Sequence, residues 1–169
     1  MGRPKKLNLA ISDGLVMQID LGSGRFAIID VCDYPIVAQH TWRAVADRDR
    51  FYAVASILGS DGKWHTVRMH KLIVLAKEVD HINRNGLDNR RQNLRSATRS
   101  QNVANSKPRG KYKGVGWHKR SQKWYAHIGK GGRQFHLGVF DTPEAAAAAY
   151  DKAALEKFGE FARLNGVML

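Results

Sequence analysis

The sequence predicts an α+β fold with a small β-rich N-terminal domain, a polar central segment, and a C-terminal sheet of three antiparallel strands plus one helix. Three observations support this prediction. Short apolar runs alternate with turn residues in the first third, a segment rich in Asn and Arg follows, and three alternating segments and an alanine-rich run fill the last third. We place the three domains at 7–67, 68–106 and 107–169, after a basic arm at 1–6.

The N-terminal domain is predicted from strand-like runs that are separated by turns. Gly, Ser and Asp cluster at 22–24 and 59–62, and such clusters mark turns. The apolar runs beside these turns have the length and alternation of strands. We therefore expect three strands, at 27–31, 52–57 and 63–69. One short helix is expected at 69–77.

The C-terminal domain is predicted from three alternating segments and a strong helix start. Thr142 is a good N-cap, Pro143 suits the first helical position, and Glu144 favours the positive end of a helix. Gly159 is expected to end the alanine-rich helix that follows. The strands are expected at 112–118, 123–129 and 134–140.

The chain is strongly basic, with a formal net charge of +13 and a pI near 10.2. From Asn89 to Phe140 there is no Asp or Glu, and aromatic residues are interleaved with the basic ones. A folded surface with such an excess of positive charge favours a polyanion as partner. The residues expected to contact DNA are Arg90, Arg91, Arg95, Arg99, Lys107, Arg109, Lys111, Lys113, Trp117, Lys119, Arg120, Lys123, Lys130 and Arg133.

Composition also excludes several classes of protein. No apolar run approaches the ~20 residues of a membrane-spanning helix, so no membrane partner is expected. Cys32 is the only cysteine, which excludes an intrachain disulfide and a multi-cysteine zinc site. The arm at 1–6 is interpreted as a short basic tail, with an arginine contact in the DNA minor groove as the alternative.

Asp80 and His81 stand side by side in the polar central segment. Hydrolysis of a phosphodiester needs a deprotonated water and a cation near the developing negative charge. Asp80 offers a hard oxygen ligand, neutral His81 can take a proton from water at pH 7, and Asn102 could add a carbonyl oxygen to the metal. Taken alone, however, such a pair is more often a polar surface feature than a catalytic site.

The wider pattern resembles the HNH family of nucleases, in the form found in homing endonucleases. The likeness is carried by Val79 to Asn83, Asn85 to Asn89, Gln92 to Arg95 and Thr98 to Asn102. The resemblance implies that this segment forms two antiparallel strands and a helix around one metal ion. The upstream run from Met69 to Ile73 also looks like that family, and we expect His70 within it to make a structural hydrogen bond rather than to bind the metal.

The resemblance implies a role for each motif residue. His81 would be the general base, Asn93 would hold the loop and the His81 ring, and Asp80 and Asn102 would bind the metal. Asn102 stands where many family members have His, which favours one hard cation, Mg²⁺ or Mn²⁺, over Zn²⁺. No structural zinc is expected, because the paired cysteines of the zinc-stapled members are missing.

The C-terminal segment, at about 111–166, resembles the DNA-binding domain of plant ethylene-response (APETALA-type) transcription factors. The likeness rests on runs such as Tyr112 to Val115 and His136 to Thr142. The resemblance implies a three-stranded sheet that lies in the major groove. Three positions that hold Arg in the plant proteins are Gly116, Gly129 and Gln134 in this chain. A position that holds Trp in the plant proteins is His136. The plant target sequence is therefore not expected here, and we expect Trp124, Tyr125 and Phe140 to form the core of the domain.

These observations predict a metal-dependent DNA endonuclease, site-selective and of the homing type, that nicks or cuts double-stranded DNA. The alternative is a DNA-binding regulator with a relic nuclease fold, which would have no physical need for Asp80, His81, Asn93 and Asn102 together. RNA binding has only the charge in its favour. We expect a monomer without a small-molecule cofactor, in the cytoplasm of a bacterial or phage-infected cell.

Overall fold

The structure, a computed structural model, describes residues 15–167. The chain forms two compact units that divide between Ser96 and Ala97. Both units combine antiparallel strands with helices, which confirms the predicted α+β class. The arm predicted at 1–6 lies outside the described residues. Within 15–167, no helix is both long enough and apolar enough to cross a bilayer.

The first unit begins with two small antiparallel sheets. In the first sheet, Gly22 and Gly24 adopt positive φ in the turn that joins the two strands, a conformation that glycine adopts without strain. The second sheet has three strands in sequence order. The strands are β1 (Val16–Asp20), β2 (Phe26–Asp30), β3 (Arg43–Asp47), β4 (Arg50–Leu58) and β5 (Trp64–Arg68).

Two short helices accompany these sheets, α1 (Tyr34–Val37) and α2 (Met69–Ile73). The sequence predicted β2, β4, β5 and the start of α2, but not β1 and β3. The predicted helix at 69–77 is too long, because the backbone of Val74 is already extended. One apolar core joins the sheets to α2, and its most deeply buried members include Ala27, Ile29, Val37, Ala53, Ala55 and Met69.

Two further strands complete the first unit, β6 (Val79–His81) and β7 (Leu94–Ser96), which pair antiparallel. The loop between them returns to β2, where the Ile28 N–H donates to the Leu87 carbonyl at 2.8 Å. In turn, the Asn89 N–H donates to the Ile28 carbonyl at 2.7 Å. The N-terminal sheet therefore supports the loop that connects β6 to β7.

The second unit contains α3 (Arg99–Ala104), three antiparallel strands, and the long helix α4 (Pro143–Phe158). The strands are β8 (Val115–His118), β9 (Lys123–Lys130) and β10 (Arg133–Phe140), in the order β10–β9–β8. Thr142 is the N-cap of α4 and accepts from the Ala145 N–H at 3.2 Å. The predicted three strands and one helix are confirmed.

Helix α4 covers one side of this sheet and leaves the other side open. Ala126 and Ile128 of β9 are buried on the side that faces α4, and Ile128 belongs to one core cluster with Tyr150 and Phe158. Because side chains alternate along a strand, Tyr125 points to the open side. The expectation that Tyr125 belongs to the core is therefore wrong, and Trp124 and Phe140 are only half-buried.

Candidate active site

Strand β6 places Asp80 and His81 next to each other in the interior of the first unit. All three residues of β6 are buried, and the strand pairs Asp80 with Arg95 and His81 with Leu94 on β7. The Arg95 Nε and Nη2 groups donate to Asp80 Oδ2 at 3.0 and 2.9 Å. A buried carboxylate needs such compensation, because burial of an unpaired charge is strongly unfavourable.

The ring of His81 is held by Asn89, which is completely buried. His81 Nε2 lies 3.3 Å from Asn89 Oδ1, and the Asn89 amide is itself oriented by donation from Nδ2 to the Leu87 carbonyl at 3.2 Å. Because the amide oxygen only accepts, the Nε2 atom of His81 must carry the hydrogen. The neutral ring then has its lone pair on Nδ1, the nitrogen that can take a proton.

Two further rings pack against His81. The His70 ring meets it edge-on with centroids 4.8 Å apart, and the Tyr52 ring lies 5.9 Å away. Burial lowers the pKa of His81, and the hydrogen bond to Asn89 and the nearby carboxylates offset only part of this. Burial lowers the pKa of His70 to about 3, and electrostatic repulsion from His81 lowers it in the same direction. Both imidazoles are therefore neutral at pH 7.

Asn93 holds the loop that carries these partners. Its Oδ1 accepts from the Asn83 N–H at 2.9 Å, and its Nδ2 donates to the Asp88 carbonyl at 2.7 Å. These contacts agree with the loop-holding role expected for Asn93. The side-chain hydrogen bond to the His81 ring, which was also expected of Asn93, comes from Asn89.

Asn102 lies on α3, in the second unit. Thr98 caps the N-terminus of this helix and forms a reciprocal capping box with Gln101. The side chain of Asn102 is half-buried.

The predicted metal ligands offer one carboxylate and one amide oxygen. Among residues 15–167, no group of three or more His, Cys, Asp and Glu side chains could hold a metal ion. Mg²⁺, however, is usually bound by one or two carboxylates together with water and substrate phosphates, so it does not need such a group. The donor chemistry of Asp80 and Asn102 therefore fits a hard cation.

Four of the residues predicted to contact DNA bind oxygen atoms of the protein itself. Arg90 binds Asp88 at 2.7 Å, Arg91 binds Asp33 at 2.6 Å, and Arg95 binds Asp80. The fourth, Lys113, donates to main-chain carbonyls. Because donors of these four residues bind oxygen atoms of the protein, we expect the four to contribute less to phosphate binding than the other predicted residues.

The remaining predicted basic residues are exposed on the second unit. Two of them form pairs near the solvent, Lys111 with Glu144 and Lys123 with Asp141, and such pairs are weak. Trp117 is 45% exposed and packs edge-on against Trp124, with centroids 5.0 Å apart. The exposed basic set is Arg99, Lys107, Arg109, Lys111, Lys119, Arg120, Lys123, Lys130 and Arg133.

The open side of the C-terminal sheet carries the four positions that depart from the plant pattern. His136 pairs with His127, Gln134 pairs with Gly129, and Gly116 pairs with Tyr125, all on the side away from α4. A Cβ atom at Gly116 would lie 2.4 Å from the Tyr125 ring. Tyr125 therefore excludes an arginine at position 116 unless its ring moves.

Comparison with known proteins identifies both parts of the chain. Residues 76–104 match the HNH endonuclease family model, and residues 110–160 match the AP2 domain model. An uncharacterised HNH endonuclease of Acanthamoeba polyphaga mimivirus is 34% identical over 156 residues, which cover 86% of this chain and 78% of the viral protein. The chain belongs to the HNH endonuclease family.

Plant transcription factors match a shorter part of the chain. An AP2-like ethylene-responsive transcription factor of Arabidopsis thaliana is 45% identical over 74 residues, which cover 41% of this chain and 15% of the plant protein. APETALA2-like protein 2 of Oryza sativa subsp. indica is 46% identical over 54 residues, 32% of this chain and 12% of that protein. Both predicted resemblances, to HNH nucleases and to the plant domain, are confirmed.

Sequence reasoning missed three residues around His81, the predicted general base. The motif includes Asn89 but assigns it no role. The sequence predicts Tyr52 only as a residue of a strand. It does not predict the contact between the rings of His70 and His81. For Asn89 a signal existed, because a general base needs an acceptor on its second ring nitrogen and the segment is rich in Asn. No local signal marks Tyr52, since the contact depends on how β4 packs against β6.

Substitution of Asn89 tests whether the orientation of the His81 ring matters for cleavage. We expect Asn89→Ala to slow metal-dependent DNA cleavage about 10- to 100-fold, because the His81 ring loses the acceptor that fixes its tautomer. Nicking of supercoiled plasmid measures the effect. The exposed neighbour substitution Gln92→Ala is expected to leave the rate unchanged. Equal rates for Asn89→Ala and the wild-type protein would contradict the assigned orientation.

Burial of His70 predicts that acid weakens the fold. Its pKa is about 3 in the folded protein and 6.5 when exposed, so below pH 6.5 protons bind preferentially to the unfolded chain. The free energy of unfolding should therefore fall as the pH drops below 6.5, by up to about 1.4 kcal/mol per pH unit for this histidine. Urea unfolding between pH 5 and 7 measures the slope, and His70→Gln should make it shallower. Identical slopes would exclude this origin.

Proposed function

We propose that the protein is a metal-dependent endonuclease that hydrolyses phosphodiester bonds in double-stranded DNA, as a site-selective enzyme of the homing type. The observation that carries the proposal is the state of His81. Its imidazole is buried and neutral, its Nε2 hydrogen is donated to Asn89, and its lone pair is therefore on Nδ1. A neutral imidazole with a fixed tautomer is the form that a general base requires.

In this proposal His81 Nδ1 accepts a proton from the attacking water. Asn89 keeps the ring in the tautomer that leaves Nδ1 as the acceptor. Asn93 maintains the loop through its bonds to Asn83 and Asp88, and so keeps Asn89 in place. The packed rings of His70 and Tyr52 restrict rotation of the imidazole.

Asp80 and Asn102 are the proposed ligands of one divalent cation, Mg²⁺ or Mn²⁺. When bound, such a cation neutralises charge on the scissile phosphate and stabilises the leaving oxygen. Arg95 donates from Nε and Nη2 to Asp80 Oδ2, and its positive charge compensates the buried carboxylate.

DNA is proposed to bind along the exposed basic residues of the second unit. The open side of its sheet carries few charges of its own, and Lys119, Arg120, Lys130 and Arg133 lie in or beside the turns between its strands. Lysine and arginine at such margins suit phosphate contacts, whereas His127, Gln134 and His136 are the polar side chains placed to meet base edges.

Incubation of supercoiled plasmid with the protein and Mg²⁺ or Mn²⁺, followed by mapping of the ends, tests the proposal. We expect nicked plasmid, because one chain has one His81, and a pair of chains or two sequential events would be needed to cut both strands. Chelation of the cation should stop the reaction. Plasmid that is bound but stays intact at every cation concentration would contradict the proposal and support the regulator instead.

A further inference from the structure

Helix α3 is built into the second unit. The side chain of Ala104 is buried in the same core as Ile128 and Tyr150, and the Arg163 N–H donates to the Ala104 carbonyl at 3.1 Å. At the other end of the helix, Ser100 Oγ accepts from the Gly131 N–H at 3.0 Å. A helix of six residues is too short to be stable in isolation, so these contacts hold it in place.

Lys113 closes the C-terminal end of α3. Its Nζ donates to the carbonyls of Val103 and Ser106, both at 2.8 Å, and also to the carbonyl of Ala104. The three hydrogens of the ammonium group match these three acceptors. A positive charge also interacts favourably with the negative end of a helix.

The backbone of Lys113 is fixed as firmly as its side chain. Its N–H donates to Asn165 Oδ1 at 2.7 Å, and its carbonyl accepts from Asn165 Nδ2 at 3.2 Å. Asp151 on α4 orients Asn165, since its Oδ1 accepts from the Asn165 N–H at 2.8 Å and from Nδ2 at 3.0 Å. The ammonium group therefore projects from a rigid part of the second unit.

We propose that Lys113 is a positioning residue for the metal ligand Asn102, and not a phosphate contact. The inference rests on the proposed function, because it takes Asn102 as a ligand. Asn102 directly precedes Val103, whose carbonyl is the first of the three that Lys113 binds. The second unit would thus both bind DNA and fix the position of one metal ligand.

The substitution Lys113→Met removes the ammonium group and keeps an unbranched stem. In the metal-free protein, we expect hydrogen exchange at the amides of 102–106 to accelerate at least about 10-fold, while β9 keeps its protection. In the plasmid assay, the Mn²⁺ concentration for half-maximal cleavage should rise about 10-fold, and saturating Mn²⁺ should largely restore the rate. Lys152→Met, at an exposed lysine on α4, is the matched control for both measurements.

The possible outcomes separate this inference from the proposed function. Lys113→Arg keeps the positive charge at the end of α3 and should show smaller changes than Lys113→Met in both measurements. Unchanged exchange and an unchanged Mn²⁺ requirement in Lys113→Met, with weaker DNA binding, would overturn the inference and leave the nuclease assignment intact. A wild-type protein that does not cleave at any Mn²⁺ concentration would overturn both.

Discussion

Replacement of His81 by alanine is expected to reduce metal-dependent DNA cleavage by about 10²- to 10⁴-fold, the usual contribution of a general base. The side chain lies in the interior with its neutral ring tied to Asn89. His70, the nearest imidazole, has its pKa lowered to about 3, so it is a much weaker base.

Initial rates of plasmid nicking at saturating Mg²⁺ measure this effect. The control is His65→Ala, at an exposed histidine of β5 whose ring lies 3.0 Å from Asp61 Oδ1. That variant should cleave at the wild-type rate. DNA affinity in the absence of a divalent cation should be the same for both variants, because His81 is buried and makes no predicted phosphate contact. Undiminished cleavage by His81→Ala would remove His81 from the mechanism.

The C-terminal unit was the most predictable part of the fold, because its signals are local. The Thr142 cap, Pro143 after it, and Gly159 at the end define α4 within a few residues of sequence. Ser121 lies in the turn between β8 and β9, Gly131 and Gly132 form the turn between β9 and β10, and the alternation of apolar residues places Ala126 and Ile128 on one side. Each of these features depends on neighbours along the chain, which a sequence shows directly.

The features that escaped prediction depend on contacts between distant segments. Arg91 binds Asp33, 58 residues earlier, and nothing near Arg91 in the sequence indicates that its charge is already paired. The loop residue Asn89 is fixed by β2 through Ile28. Strand β3 was missed because its ends, Arg43 and Asp47, are charged and its short interior gives little alternation.

In the candidate site, too, contacts between distant segments could not be predicted from sequence, and α3 is the example. The motif spacing predicted that Asn102 belongs with Asp80, His81 and Asn93. It could not show that the core of the second unit holds the helix of Asn102, since that depends on Ala104 and on contacts to residues far along the chain. Motif spacing therefore predicts which residues carry the chemistry, whereas the tertiary fold determines what holds each of them.

Affinity for double-stranded DNA is expected to fall about 10³-fold or more between 50 and 200 mM salt, measured without divalent cation. Binding to phosphates releases condensed cations, and the dependence on salt steepens with each contact. Besides Arg90, Arg91, Arg95 and Lys113, the predicted set contains nine exposed basic residues, Arg99, Lys107, Arg109, Lys111, Lys119, Arg120, Lys123, Lys130 and Arg133. Among them, Lys130 Nζ also donates to the Lys157 carbonyl at 3.1 Å. Six to nine contacts would give a slope of roughly −5 to −8 in log affinity against log salt.

Single substitutions test which of these residues meet phosphate. Lys119→Ala and Arg120→Ala, in the turn between β8 and β9, should each reduce the magnitude of the slope by about one and weaken binding to all DNA sequences alike. Lys152→Ala should leave the slope unchanged, because Lys152 lies on the exposed side of α4, away from the open side of the sheet. A slope near zero for the wild-type protein would mean that these exposed charges do not bind the DNA backbone.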